Sequence, residues 1–253
     1  MLKVNNLIFR YTKNSPLVLN NLSFDIQEGE VGIILGRNGS GKTTFFKVLA
    51  GLIKPISGTI SFNEIDLLTL KNKERAKKIA YVPQSIVFGD LTVFDSIMTG
   101  RVSHFDVLPT QEDKNRVLEI ISEMKLDKLI YRNVSELSGG ERQKVAIARA
   151  LVQEPKILIF DEPTGNLDIA NEQLILEQAK KIATEKKIIV LVSIHDLSVA
   201  SYYGDKFFLL KDGIIKYYGD KDVINSENIS DVFDINAKIE TIHNRKFIYI
   251  EGE

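Results

Sequence analysis

"GRNGSGKTT", residues 36–44, follows the apolar run "VGIIL" (31–35) and precedes "FFKVLAGL" (45–52), and this order of strand, loop and helix decides the fold. The loop fits G-x-x-x-x-G-K-[ST], a pattern in which glycines let backbone N–H groups turn inward around phosphates. Gly36, Gly39 and Gly41 supply that freedom, with Arg37, Asn38 and Ser40 between them. Lys42 offers a point charge, the Thr43 hydroxyl suits a magnesium ion, and Thr44 closes the stretch. Apolar residues at helical spacing continue until Gly51 and Pro55 stop the helix.

Two more runs, "KILIF" (156–160) and "KIIVLVSI" (187–194), are almost continuously apolar and β-branched, as central parallel strands covered on both faces are. Each ends in polar chemistry: "DEP" at 161–163 and "HD" at 195–196. Ligands of open α/β sheets collect beyond the carboxyl ends of the parallel strands, so three segments are expected to converge on one place. Asp161, leaving a buried strand, needs a cation or hydrogen bonds to stay charged there, which points to a magnesium-linked role. Glu162 follows at once and Pro163 turns the chain away, so the two acids are expected to diverge. Glu162 then faces the γ-phosphate, where a carboxylate orients and deprotonates a water. The plainer alternative is a pair of acids that only caps a strand end. His195 stands at the same sheet edge, placed to bond the γ-phosphate and hold the attacking water. His104 and His243 lack such a context and read as ordinary residues.

The 253 residues suffice for one large α/β domain with an inserted subdomain. Lysine and arginine total 33 against 34 acids, so bulk electrostatics does not favour nucleic acid. With no cysteine, disulfides, thiolate zinc sites and cysteine nucleophiles are excluded. "MLKVNNLIFRYTKN" (1–14) lacks the apolar core of a signal peptide, and runs such as "IIVLVSI" fall short of a membrane span. The expectation is a soluble chain that meets a membrane through a partner. The basic stretch "KNKERAKK" (71–78) reads as a solvated helix face rather than a site for nucleic acid or anionic lipid.

Around the apolar strands, "KVNNLIFRY" (3–11), "LVLNNLSFDI" (17–26) and "TISFNEI" (59–65) read as half-exposed antiparallel strands. Between Gln84 and Glu154 the texture is helical: "TQEDKNRVLEIISEM" (110–124) places Val117, Ile120, Ile121 and Met124 on one stripe. After Gly219 come short helices in "DKDVINSENISDVF" (220–233) and then two strands, "KIETI" (238–242) and "KFIYIEGE" (246–253).

One stretch resists a single reading. In "SELSGGERQKVAIARAL" (135–151), Ser138 and Glu141 form an S-x-x-E capping box, which accounts for a helix start and nothing more. A capping box needs neither Gly139 nor Gly140, and two glycines cost backbone entropy unless something approaches closely. A helix N-terminus with bare amides suits phosphate, which makes this a second anion site in a chain that already has one.

"LSGGERQ", taken with "GRNGSGKTT", "ILIFDEP", "GNLD" (165–168) and "SIHD" (193–196) in this order, resembles the ATPase subunit of an ABC transporter over essentially the whole chain. The resemblance implies ATP with Mg²⁺ and a head-to-tail homodimer, in which Ser138, Gly139 and Gly140 serve the partner's nucleotide. Tyr11 matches the aromatic that stacks on adenine. Gln84 in "AYVPQ" (80–84) matches the glutamine that touches Mg²⁺ and water, and Asp168 matches the aspartate that crosses the dimer interface. Gly165 departs from the pattern, standing where the family usually has serine.

The implied fold is a single α/β domain of the P-loop NTPase type over 1–253. Residues 1–83 and 155–219 form the nucleotide-binding core, with a central, mostly parallel sheet and an antiparallel β subdomain. Residues 84–154 form an inserted, mainly helical subdomain, and 220–253 a short C-terminal extension. "LTVFDSIMTGR" (91–101) and "HDLSVASYYGDKFFLLKDGIIKYYGD" (195–220) are similar to importers of iron–siderophore, haem or cobalamin, with zinc and manganese importers the near alternative. Such a chain docks on transmembrane permease subunits at the cytoplasmic face of the membrane, and a separate substrate-binding protein delivers the cargo. No nucleic-acid partner is implied. ABC ATPases that act on DNA carry a long coiled-coil insertion and those that act on ribosomes carry two such domains, neither of which this sequence contains; exporters often carry a fused membrane domain, also absent here.

Overall fold

The computed structural model describes residues 1–163, 169–194, 196–242 and 245–250. Strand β1 (Leu2–Phe9) pairs antiparallel with β2 (Leu19–Ile26), and both alternate buried with exposed residues as one-sided strands do. Next comes β3 (Val31–Leu35), buried at every position, then the phosphate loop and α1 (Lys42–Leu49). The chain returns through β4 (Ser57–Phe62), β5 (Ile65–Asp66), α2 (Asn72–Ala76) and β6 (Ile79–Val82). Helices α3 (Val93–Met98), α4 (Gln111–Glu123) and α5 (Gly139–Leu151) fill the next segment. Then follow β7 (Ile157–Asp161), α6 (Ile169–Lys186), β8 (Ile189–Ser193), α7 (Leu197–Tyr203), β9 (Lys206–Lys211) and β10 (Ile214–Gly219). The chain ends in α8 (Ser226–Phe233) and the hairpin β11 (Ala237–Ile242) and β12 (Arg245–Ile250).

The strands form one antiparallel sheet of order β2-β1-β4-β5 and one six-stranded sheet of order β10-β9-β3-β8-β7-β6. In the latter, β9, β3, β8, β7 and β6 run parallel, and β10 is an antiparallel edge. Because strand side chains alternate faces, each central strand feeds two cores. Ile157 and Ile159 of β7, with Ile189 and Leu191 of β8, pack toward α1 and the antiparallel sheet, where they meet Phe24, Phe45, Phe46 and Phe208. Leu158 and Phe160, with Val190 and Val192, pack the other way, on α6 and the helical segment. The first face therefore carries Asp161 and Ser193 at the strand ends toward the start of α1.

The stripe expected on α4 is present: Val117, Ile120, Ile121 and Met124 are buried, and Thr110 with Asp113 forms a capping box at the helix start. The tail does not stand apart, since Ile224, Ile229, Val232 and Ala237 join the larger core. "KNKERAKK" is a largely solvated face with one exception. Lys71 to Glu74 are exposed, but Arg75 turns back and donates to the carbonyls of Leu67 (2.8 Å), Leu68 (3.1 Å), Leu70 (2.9 Å) and Gly51 (3.3 Å). It pins the approach to α2 onto the turn after α1.

The helical segment contains a buried charge. Arg101, 6% exposed, donates to Asp113 Oδ1 at 2.9 Å, to the Val152 carbonyl at 3.0 Å and to Glu154 Oε2 at 2.8 Å. It thereby ties the turn after α3 to the start of α4 and the end of α5. Burial pushes the Asp113 carboxyl up, but donation by the Thr110 backbone and hydroxyl and by Arg101 outweighs it, so the group titrates below its usual range. A carboxyl held low when folded adds stability that is complete above the unfolded value, about pH 3.9, and is lost as pH falls through the folded value. Replacing Arg101 by Met strands a buried carboxylate; the expected cost is about 3–5 kcal/mol, read from urea unfolding at pH 7, with a smaller difference from the parent protein below pH 4.

Candidate functional site

Three strand ends and one helix start meet at the carboxyl edge of the parallel sheet. The phosphate loop leaves β3, and Gly39 (φ +82°) and Gly41 (φ +110°) take left-handed backbone conformations that suit glycine. A Cβ on Gly41 would also stand 2.9 Å from the Val18 carbonyl oxygen. Gly41 is the N-cap of α1 and has no side chain to cap with, and the first turn carries no acid. The helix start is therefore open to an anion. An open cavity of about 150 Å³ lies against it, lined in part by Asn38, Gly39, Gly41, Lys42, Thr43, Thr44 and Glu162.

Lys42 is 4% exposed and curls over its own loop. Its ammonium donates to the carbonyls of Gly36 (2.9 Å) and Arg37 (3.2 Å) and lies 3.7 Å from Glu162 Oε1. Burial lowers its proton affinity, and the nearby carboxylates of Glu162 and Asp161 oppose that effect. Arg37 itself points outward and pairs with Asp234 at the end of α8. The Ser40 hydroxyl is buried.

Asp161 is 1% exposed and its carboxylate is fully engaged. Oδ1 accepts from the Thr43 hydroxyl at 3.1 Å and the Ser193 hydroxyl at 3.0 Å, while Oδ2 accepts from the Tyr81 hydroxyl at 2.9 Å. Burial first, and then the Asp161 charge, push the Tyr81 phenol far above its ordinary range, so it stays a donor. Glu162 turns elsewhere because its backbone adopts φ +47°. Its Oε2 accepts from Gln84 Nε2 at 2.8 Å, and Gln84 is exposed just past β6. The two acids thus serve different neighbours, as their spacing before Pro163 led one to expect.

Tyr11 lies beyond the end of β1, not within it, 58% exposed, with its ring edge-on to Phe9 and its hydroxyl 3.0 Å from Thr44 Oγ1. Ser138, Gly139 and Gly140 form the start of α5, away from this constellation. Their capping box is formed: Ser138 N–H donates to Glu141 Oε2 at 2.9 Å and Ser138 Oγ to the same oxygen at 2.7 Å. The Ser138 hydroxyl and then its backbone N–H hold the Glu141 carboxyl below its usual value. Both glycines are helical, so nothing in the backbone of this chain requires them. Asp168, Gly165 and His195 lie outside the described residues, as does His243. His104 is a half-buried structural residue whose Nε2 meets the Gln153 carbonyl at 3.0 Å.

Two members of the constellation, Tyr81 and Ser193, went unnoticed in the sequence. Strand alternation could have found them: Tyr81 follows Ile79, and Ser193 follows Ile189 and Leu191, on the face that carries Asp161.

A family model described as ABC transporter matches residues 19–165. The chain belongs to this family, as an ATP-binding ATPase subunit. It is 42% identical over 242 residues, 96% of its own length and 94% of the relative's, to an ABC transporter ATP-binding protein of Methanocaldococcus jannaschii. A probable iron chelatin transport ATP-binding protein of Helicobacter pylori is 34% identical, with 98% of each chain covered. Among solved structures, an inward-facing ABC transporter described as metal-chelate type superposes with a TM-score of 0.84 at 28% identity, covering 99% of this chain and 96% of that one. A dimeric ATP-binding cassette carrying ADP and Pi superposes with a TM-score of 0.75 at 30% identity, covering 87% of this chain and 99% of that one. Among the described residues of this ABC ATPase, no helix is long and apolar enough to cross a membrane.

The phosphate loop yields a direct test. Gly41→Ala forces a Cβ into a left-handed backbone, at about 1–2 kcal/mol, and against the Val18 carbonyl; ATP binding measured by calorimetry is expected to weaken at least about tenfold.

Proposed function

We propose that this ABC ATPase powers an importer for iron–siderophore, haem or cobalamin, and that its site residues act as their geometry suggests. The observation that carries the catalytic part is the divergence of Asp161 and Glu162, one locked to Thr43 and the other turned to Lys42 and Gln84.

The donor set suits magnesium. Thr43 and Asp161 offer hard oxygen ligands 3.1 Å apart, and the described residues contain no cluster of three or more ligating side chains that would form a self-sufficient cage. Magnesium is commonly held by one or two carboxylates together with substrate phosphates, which is what this site can supply. Thr43, Asp161 and Gln84 would hold it, and when bound it offsets charge on the transferred phosphoryl group. The loop from Gly36 to Thr44 (Gly36, Arg37, Asn38, Gly39, Ser40, Gly41, Lys42, Thr43, Thr44) wraps the phosphates with backbone amides. Lys42 exchanges its carbonyl and Glu162 partners for phosphate oxygens. Glu162, released from that pair and steadied by Gln84, takes the proton of the attacking water. His195 holds that water in line, and Tyr11 stacks on adenine.

A second copy of the chain completes the arrangement. In a head-to-tail homodimer Ser138, Gly139 and Gly140 reach the partner's nucleotide and Asp168 crosses the interface. What favours this is that α5 begins exposed, with small residues and no fold-based need for its glycines. The dimeric ADP-bound cassette among the similar structures supports the same reading. Closure and reopening of the dimer pull on the helical segment and through it on permease subunits at the cytoplasmic face, which a separate binding protein supplies with cargo.

For the cargo, the Helicobacter pylori relative and the metal-chelate type structure favour iron chelates. Zinc or manganese import is the alternative on sequence resemblance. A phosphonate import ATPase of Fusobacterium nucleatum is 33% identical, so cargo varies at this level of similarity. Uptake of labelled ferric siderophore, haem, cobalamin, zinc and manganese by cells lacking this gene separates these cases. A defect confined to zinc or manganese would overturn the chelate assignment.

Two substitutions test the mechanism. Glu162→Gln is expected to bind ATP as the parent does while turnover falls about 10²–10⁴-fold, the usual range for a general base; unchanged turnover rejects its role. Ser138→Arg is expected to bind ATP as a monomer and to form no ATP-dependent dimer on a sizing column.

A further inference from the structure

Ser193 ends β8 fully buried, and both sides of its hydroxyl are in use. Oγ donates to Asp161 Oδ1 at 3.0 Å and accepts the backbone N–H of Glu162 at 2.9 Å. One side chain therefore spans two consecutive residues that the proposed mechanism uses for different tasks. The strand register explains how it reaches them: Ser193 sits opposite Asp161 in the parallel pairing of β8 with β7.

The second bond matters because of where Glu162 is. Its φ of +47° lies in the left-handed region, where a residue with a side chain is disfavoured by about 1–2 kcal/mol and persists only if its surroundings hold it. An extended backbone at that point would continue β7 and send Glu162 to the opposite face from Asp161, toward the helices. The bend turns the carboxylate to Lys42 and Gln84 instead. A bond from the bent residue's own N–H to a fixed, buried hydroxyl is a direct way of holding it. Alanine at 193 would take this hydroxyl away from that N–H and remove one of the three hydroxyls on Asp161.

We propose that Ser193 is a positioning residue for ATP hydrolysis, its hydroxyl fixing the carboxylate of Asp161 and the left-handed turn that aims Glu162. The inference rests on the reading of those two acids given above. Ser193 touches neither substrate nor water; it acts through its neighbours, so it affects turnover more than nucleotide affinity.

Ser193→Ala, Ser193→Cys and Ser193→Thr of the full chain, assayed beside Glu162→Gln, test this. Cysteine nearly keeps the volume but is a weak donor and acceptor, whereas threonine keeps the hydroxyl. For Ala and Cys, kcat is expected to fall about 10–100-fold, the scale set by small misplacements of catalytic groups. KM, and ATP affinity measured without magnesium, are expected to stay within about threefold, and Thr to retain most of the rate. In the nucleotide-free protein, amide exchange of a peptide containing Glu162 is expected to quicken about tenfold in Ala and Cys, as loss of one hydrogen bond would cause. Parent-like turnover and parent-like exchange in the Cys variant would overturn the proposal, leaving Ser193 a packing residue. If Ser193→Ala fails to fold, the Cys and Thr pair decides the same question. Parent-like turnover of Glu162→Gln would sink the general-base reading alone, while the exchange result would still decide whether Ser193 holds the turn.

Discussion

A buried carboxylate is costly unless hydrogen bonds replace the water it has lost. Asp161 meets that condition with hydroxyls drawn from three separate segments: Thr43 at the start of α1, Tyr81 on β6 and Ser193 on β8. The rest of the site hangs on this arrangement. It sets the distance between the phosphate loop and the sheet, and it keeps neighbouring strands in register at the edge where the chemistry gathers. It also places Glu162 one residue further on, where a left-handed bend turns it to a different set of neighbours.

The two glycine-bearing helix starts, α1 and α5, differ in a way that composition alone does not disclose. The start of α5 is closed by its own side chains, Ser138 and Glu141, and its glycines take ordinary helical geometry. The start of α1 is closed by nothing of its own, and its glycines are bent into conformations few other residues accept. The first is a finished helix that presents a small, exposed surface outward. The second is a helix with a place left at its head. This contrast fits one site that holds a ligand within the chain and one that offers contacts to a neighbour.

Much of the fold could be read directly from residue patterns, for physical reasons. The phosphate loop, the all-apolar strands and the stripe on α4 are local signals, carried by neighbours in sequence, and each appears where it was expected. The resemblance carried by five short motifs supplied the family. Features that need two distant segments were harder to see. Arg75 looked like one more charge in a basic run, and its return to four carbonyls depends on a turn nearer the N-terminus. Tyr81 and Ser193 were passed over because a tyrosine and a serine on apolar strands carry no motif. Only the order of strands across the sheet puts them beside Asp161. Tyr11 read as a strand residue because its surroundings alternate, yet β1 has ended before it.

The open head of α1 has a thermodynamic consequence for the whole molecule. A group that binds the folded chain and not the unfolded one adds RT ln(1 + [L]/Kd) to stability. Here the loop that receives it leaves β3 directly, and Thr43 beyond it bonds Asp161 at the end of β7, so the gain is not confined to the loop. The folded population of this protein is therefore coupled to the cell's free nucleotide.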